Sequence, residues 1–136
     1  MIAVKVQHYL SRARDFFKGM ELLKDDLGGF KYSSALLGIH AAISYCDALR
    51  TGMGSADVSS DDHRSAVSDL RSQLASRKFE NMQGASRLEK LLSKKNRIAY
   101  AAETPRENEI EDIVKQADRF AFWAEETGRQ LGIEGW

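Results

Sequence analysis

The amino-acid sequence predicts an all-α protein, an antiparallel bundle of about five helices in one domain that covers residues 1–136. Apolar residues recur every three or four positions over long stretches, which is the spacing of one face of an α-helix. No stretch alternates polar and apolar residues over a useful length, so we predict no strands. A chain of 136 residues can bury a core of ordinary size, and short connections between such helices favour an antiparallel bundle.

The first two predicted helices follow from this periodicity. The first is amphipathic, covers residues 4–27 and is ended by the glycines at 28–29, because glycine commonly terminates helices. The second runs to about residue 52 from an N-cap at Ser33 or Ser34. It is apolar nearly all the way round, so we expect other helices on every side of it or a place in an oligomer interface.

Three further helices complete the predicted bundle. The third begins in the polar cluster at residues 59–62, after a Gly- and Ser-rich segment at residues 51–60 that we interpret as a mobile loop. The fourth covers residues 85–102. The fifth has the clearest start, a capping box at residues 104–107 with proline at the first helical position, and its apolar stripe continues to Leu131.

Composition bounds the compartment and the partners. Lys plus Arg and Asp plus Glu both number 20, so no net charge attracts the protein to nucleic acid or to a membrane surface. The single cysteine, Cys46, lies in an apolar helix and is interpreted as a buried thiol in a reducing compartment. We find no signal-peptide pattern and no run of ~20 apolar residues, so we predict a cytoplasmic protein without a membrane partner.

Three stretches carry a family resemblance: Gly-Ile-His-Ala-Ala-Ile at 38–43, Asp-His-Arg at 62–64, and Lys-Lys-Asn-Arg-Ile-Ala-Tyr at 94–100. Together with an amphipathic first helix and a long last helix, they resemble the HEPN domain superfamily over most of the chain. The resemblance implies an up-and-down four-helix core and a homodimer. Many HEPN proteins are metal-independent ribonucleases, which use an arginine followed by a polar residue and, a few positions later, a histidine near a helix end at the dimer interface.

The ribonuclease motif of that family is altered here in either register. From Arg97, an apolar residue follows and no histidine lies at 102–104. From Lys95, Asn96 keeps the polar second position, but Lys95 replaces the arginine and Tyr100 the histidine. We prefer the second register because Asn96 fits it. Lysine holds phosphate only as a point charge, and tyrosine, with a pKa of ~10, is a poor base at neutral pH.

Polar residues within apolar stripes give the candidate site. Lys95 lies in the middle of the apolar face of the fourth helix, where it either meets Asp47 across the core or extends to the edge of the bundle. His40 and His63 either join Asp47 in a small polar cluster or satisfy buried groups and pack locally. The candidate binding residues are Lys95, Asn96, Arg97, Tyr100, Asp47, His40 and His63.

Metal and cofactor chemistry receive little support from the sequence. The spacings of His8, His40, His63 and Cys46 match no known ligand pattern, and the glycine pairs lack the flanking strand of a phosphate-binding loop. We therefore predict neither a metal nor a cofactor. Basic residues on the third and fourth helices form either a surface for RNA or nucleotide or ordinary solvated helix faces.

Three functions follow. The first is a HEPN-like protein without the Arg/His ribonuclease pair, which acts as a nucleotide- or RNA-binding or accessory module, for example as partner of a nucleotidyltransferase-type protein. The second is a metal-independent endoribonuclease of the toxin type, as in toxin–antitoxin systems, with Lys95, Asn96 and Tyr100 as substituted catalytic residues. The third is a structural dimerisation domain without a ligand.

Overall fold

The computed structural model describes residues 1–60 and 62–136, apart from the side chains of residues 27, 28 and 60. Within these residues lie five α-helices, one short 3₁₀ helix and no strand, which confirms the predicted all-α bundle. The elements are α1 (Ile2–Leu23), α2 (Leu27–Gly52), the 3₁₀ helix (Val58–Ser60), α3 (His63–Ser76), α4 (Gln83–Tyr100) and α5 (Glu107–Gln130).

Helix α2 is the centre of the bundle. It packs against α1, α3, α4 and α5, as expected for a helix that is apolar on nearly every side. Ile39 and Leu49 are fully buried. A Cβ atom at Gly38 would lie 2.8 Å from the Met20 sulfur and 2.9 Å from the Ala117 Cβ, so glycine permits the close approach of α1 and α5.

The connection between α1 and α2 differs from the prediction. Helix α1 ends at Leu23, and the predicted glycine stop at residues 28–29 is wrong, because these residues lie in the first turn of α2. The N-cap of α2 is Asp26, whose carboxylate accepts a hydrogen bond from the Gly29 backbone N–H (3.3 Å). An aspartate cap satisfies an otherwise unpaired donor of the first turn, which offsets the poor helix propensity of glycine.

The predicted serine caps, Ser33 and Ser34, are also wrong. Both lie inside α2, and the Ser34 hydroxyl donates to the Lys31 carbonyl (3.0 Å) within the helix. Phe30 is the one residue of α2 with non-helical backbone angles (φ −132°, ψ 28°), so the helix is kinked just before Lys31. The polar signal at 33–34 therefore lies close to a real break in the helix, but the cap itself is seven or eight residues earlier.

The start of α3 agrees with the prediction. Asp62 is the N-cap, and its carboxylate accepts a hydrogen bond from the Ser65 backbone N–H (2.7 Å). Asp61, the other acid of the predicted start, lies outside the described residues. The preceding loop, which we expected to be mobile, contains the 3₁₀ helix and is anchored where it begins. There the Ser55 hydroxyl donates to Asp69 (2.5 Å).

The boundary between α4 and α5 is shifted relative to the prediction. Helix α4 ends at Tyr100, two residues early, and the predicted capping box at residues 104–107 is wrong, because α5 begins only at Glu107. Its N-cap, Arg106, makes no side-chain cap hydrogen bond. The first turn is held from outside instead, since the Arg97 guanidinium donates two hydrogen bonds to the Glu109 carboxylate (2.8 and 2.9 Å).

The C-terminal residues fold back over α2 and α5 around Glu125. The Glu125 carboxylate accepts hydrogen bonds from Arg14 (2.8 Å twice), from the Tyr45 hydroxyl (2.8 Å) and from Trp136 Nε1 (3.1 Å). The Trp136 ring stacks on Tyr45 and occupies the space that a side chain at Gly128 would need. This network ties α1, α2 and α5 together.

Candidate functional site

Three basic side chains from three helices converge on one side of α2. His40 belongs to α2, His63 is the first residue of α3, and Lys95 lies on α4. The Lys95 ammonium nitrogen is 3.3 Å from His63 Nε2. At this distance the Lys95 ammonium can donate a hydrogen bond to Nε2 when that ring nitrogen is unprotonated. We call His40, His63 and Lys95 the basic cluster.

The surroundings of the basic cluster lower the pKa of both histidines. Burial lowers the pKa of His40, and the nearby positive charges of Lys95 and His63 lower it further. Burial likewise lowers the pKa of His63, and Lys95 adds to the effect, while Asp62 opposes it. A bound anion would oppose these effects and favour protonation of each imidazole.

The other side of His40 is covered by an aromatic ring. The Phe16 ring of α1 lies 5.9 Å from the His40 imidazole, centre to centre, at an angle of 58°. His40 is half-buried and His63 is exposed, so the cluster opens to solvent on the α3 side.

Asp47 lies in α2 about two helical turns after His40. Lys95 contacts His63, and Asp47 forms an ion pair with Arg50 of its own helix (3.8 Å). Arg50 is buried and also donates to Asp69 of α3 (2.7 Å). Asp47 and His63 line the same small cavity of about 10 Å³, so Asp47 borders the basic cluster. Lys95 thus meets His63, and the expected grouping of His40, His63 and Asp47 stays a prediction.

The remaining candidates of α4 are on the surface. Arg97 is engaged by Glu109, and its guanidinium holds the pKa of that carboxyl at about 2. Its role in the structure is to join α4 to α5. Asn96 is exposed, and Tyr100, at the end of α4, is 80% exposed.

A larger cavity was not anticipated from the sequence. It is open, has a volume of about 660 Å³, and lies between α1, the end of α2 and the 3₁₀ helix. Its α1 wall includes Lys5, His8, Tyr9 and Arg12, which share one helical face. Their spacing of three and four was visible in the sequence, but a basic stripe of this kind is indistinguishable from a solvated helix face until its neighbour is known.

The structure also bears on a cysteine nucleophile, on a metal site and on a membrane-spanning helix. Cys46 is fully buried, and burial raises the pKa of its thiol, which leaves it unsuited to act as a nucleophile. Among the residues described, no three His, Cys, Asp or Glu side chains are grouped so as to hold a metal ion. Across the same residues, no helix has both the length and the apolarity to cross a bilayer.

Comparison with protein-family models, with curated proteins and with solved structures gave no match. The function is therefore inferred from the geometry of the basic cluster and of the cavity beside it.

Proposed function

We propose that this protein is a HEPN-like accessory module that binds RNA or nucleotide phosphate groups through His40, His63 and Lys95. The observation that carries the proposal is the convergence of these side chains from three helices, with Lys95 3.3 Å from His63. Lys95 opposes protonation of His40 and His63, because like charges repel. A bound phosphate would turn this repulsion into attraction.

The residue types favour phosphate over other ligands. Lysine offers three N–H donors and each histidine offers one or two, so the cluster presents donors to an anion. An ammonium group does not ligate metals while it is protonated, which argues against a metal at this position. The family's arginine fork is absent at position 95, and Arg97 is held by Glu109. We therefore favour binding over cleavage.

A second function, the metal-independent endoribonuclease, is favoured by one specific feature of the cluster. Cleavage of RNA through its 2′-hydroxyl needs a base, an acid and a cation near the scissile phosphate. Two histidines with lowered pKa values are candidates for the base and the acid, and Lys95 is a candidate for the cation, so this mechanism does not require Tyr100. A homodimer and a nucleotidyltransferase-type partner stay predictions of the family resemblance, as does the structural dimerisation domain.

One titration tests the proposal. Binding of a fluorescently labelled single-stranded RNA pentamer is measured by anisotropy in EDTA for the wild type and for Lys95→Ala. Loss of a charge-assisted contact worth about 1.5–3 kcal/mol should weaken binding at least tenfold. Lys94→Ala is the matched control, because Lys94 is the exposed neighbour on the same helix and carries the same charge.

The outcomes separate the functions. Equal affinity for the Lys94→Ala and Lys95→Ala variants, or no binding by the wild type, would contradict the proposed function. The same samples are run on a denaturing gel after incubation. Cleavage by the wild type that is lost in Lys95→Ala and in His63→Gln would establish the ribonuclease instead.

A further inference from the structure

The large cavity and the basic cluster lie along one face of α2. Helix α1 runs antiparallel to α2, so Phe16 contacts His40 while Tyr9 lies beside Asp47 in the cavity. Asp47 borders both features, since it lines the cavity and shares the smaller void with His63. His40 and Asp47 are seven residues apart, or ~10.5 Å along the helix axis. A ligand that contacts both features must therefore be longer than one phosphate.

Two side chains that line the cavity, Tyr9 and Arg12, form a cation–π pair. The Arg12 guanidinium carbon lies 5.9 Å from the centre of the Tyr9 ring, over its face. Tyr9 is partly exposed and Arg12 is exposed, so both side chains are accessible from the cavity. Bases of single-stranded RNA are bound by stacking on such aromatic rings and guanidinium planes. The volume of about 660 Å³ is within the range of small-ligand pockets.

Two carboxylates give the cavity hydrogen-bond acceptors. Asp47 belongs to the α2 wall, and Asp57 lies just before the 3₁₀ helix on the opposite side. Asp57 has a positive φ of 27°, an unfavourable backbone conformation for a residue other than glycine, and accepts a hydrogen bond from Ser59 (2.8 Å). A carboxylate has about four acceptor positions, so each acid can accept further donors beside its existing partners.

From this arrangement we infer that the cavity holds the base next to the phosphate bound by the basic cluster, and that it selects bases with an exocyclic amino group. The inference rests on the proposed function. Cytosine and adenine present an amino donor on the edge that the two acids would contact. Uracil presents a carbonyl oxygen at the corresponding position, which a carboxylate repels. The ligand is thus a single-stranded RNA segment of at least two nucleotides.

The test compares penta-cytidylate with penta-uridylate. These oligonucleotides have the same length, charge and ring size and differ at the base edge. Anisotropy titrations with the wild-type protein should show at least fivefold tighter binding of penta-cytidylate. Asp57→Asn and Tyr9→Leu should each bring the two affinities within twofold of one another, mainly by weakening penta-cytidylate. Gln7→Ala, an exposed change on another face of α1, should leave the ratio as in the wild type.

The outcomes distinguish this inference from the proposed function. Lys95→Ala should weaken both oligonucleotides by the same factor, because it removes a phosphate contact. If both bind equally well to the wild type and both respond to Lys95→Ala, the base cavity is refuted and the phosphate site stands. If neither binds, both proposals are refuted. Asp57 is exposed, so Asp57→Asn gives a clear answer even if Tyr9→Leu perturbs folding.

Discussion

Replacing Glu125 with glutamine should destabilise the protein far more than the same change at its neighbour Glu126. The Glu125 side chain is 19% exposed and receives hydrogen bonds from three other residues, whereas Glu126 is 43% exposed and pairs with Arg129. Glutamine has the same shape but no charge, and one of its two acceptor positions becomes an N–H₂ donor. The change therefore removes the negative charge and one of the two accepting oxygens, with little alteration of packing.

The expected magnitude follows from the three bonds. The Tyr45 hydroxyl is buried, so the loss of charge assistance there costs about 1–1.5 kcal/mol. Arg14 is 46% exposed, so its ion pair contributes only up to ~1 kcal/mol. With a weakened Trp136 bond, the total is about 2–3 kcal/mol. The unfolding entropy of 136 residues is roughly 0.3 kcal/mol/K, which converts this loss into a Tm decrease of about 7–10 °C.

Thermal unfolding at several pH values provides the assay. Burial alone raises the pKa of the Glu125 carboxyl, but hydrogen bonds from Arg14, Tyr45 and Trp136 outweigh burial and lower it. A lowered folded-state pKa means that the stabilisation is fully present above the unfolded value near 4.5 and is lost as the pH falls through the folded value. The gap between wild type and Glu125→Gln should thus be constant above pH 5 and shrink in acid. Equal Tm values for Glu125→Gln and Glu126→Gln at pH 7 would refute this account.

Three further predictions concern packing, a buried charge and ligand binding. Gly84→Ala should destabilise the protein by about 1–3 kcal/mol in thermal unfolding, because a Cβ atom would overlap the Trp123 ring and overpacking outweighs the ~1 kcal/mol gain in helix propensity. Asp69→Asn should cost about 2 kcal/mol in urea unfolding at pH 7, because it removes a negative charge from beside the Arg50 guanidinium, which is 1% exposed. RNA affinity should increase as the pH falls from 8 to 6, since burial and a nearby lysine lower the pKa of His63 and a bound phosphate favours its protonation. His63→Gln should make that pH dependence shallower.

Matched controls make these results decisive. A Cβ at Gly19 meets only the flexible end of the Leu37 side chain, so Gly19→Ala should be neutral or stabilising, and a loss equal to that of Gly84→Ala would contradict the packing argument. Asp112 is exposed, so Asp112→Asn should cost under 0.5 kcal/mol, and a similar cost at Asp69 would show that the buried arginine tolerates the loss. An RNA affinity independent of pH would contradict the role of the histidines.

Periodicity in the sequence predicted the helices well, because a helix that buries one face needs an apolar residue at every third or fourth position. Helix α2 is central for the reason that was visible in advance, its apolar surface on every side. The helix ends were less predictable. The cap of α2 depends on Asp26, which gives no stronger signal in the sequence than Ser33 or Ser34, and the start of α5 depends on an ion pair from Arg97 on another helix. The Arg97 contact joins two helices, so it cannot be inferred from the neighbours of a residue in the chain.

The basic cluster was predictable in its members but not in its pairing. His40, His63 and Lys95 are conspicuous because each interrupts or borders an apolar stripe. Which of these side chains come into contact depends on the relative axial positions of α2, α3 and α4, and packing of the helices sets those positions. The cavity beyond Asp47 was missed because Tyr9 and its basic neighbours have the pattern of an ordinary exposed face. A loop that folds over that face is what encloses it.

The fold-back of the C-terminus gives this protein two separate optical reporters. The chain has two tryptophans. Trp123 is 6% exposed and donates to the Asn81 carbonyl (3.0 Å), whereas Trp136 is stacked on Tyr45 at the end of the chain. Detachment of the last turn would transfer the Trp136 indole to water and shift its emission to longer wavelength, without disturbing the Trp123 environment. In a Trp123→Phe variant, fluorescence would then follow fraying of the terminus at denaturant concentrations where circular dichroism still shows an intact bundle.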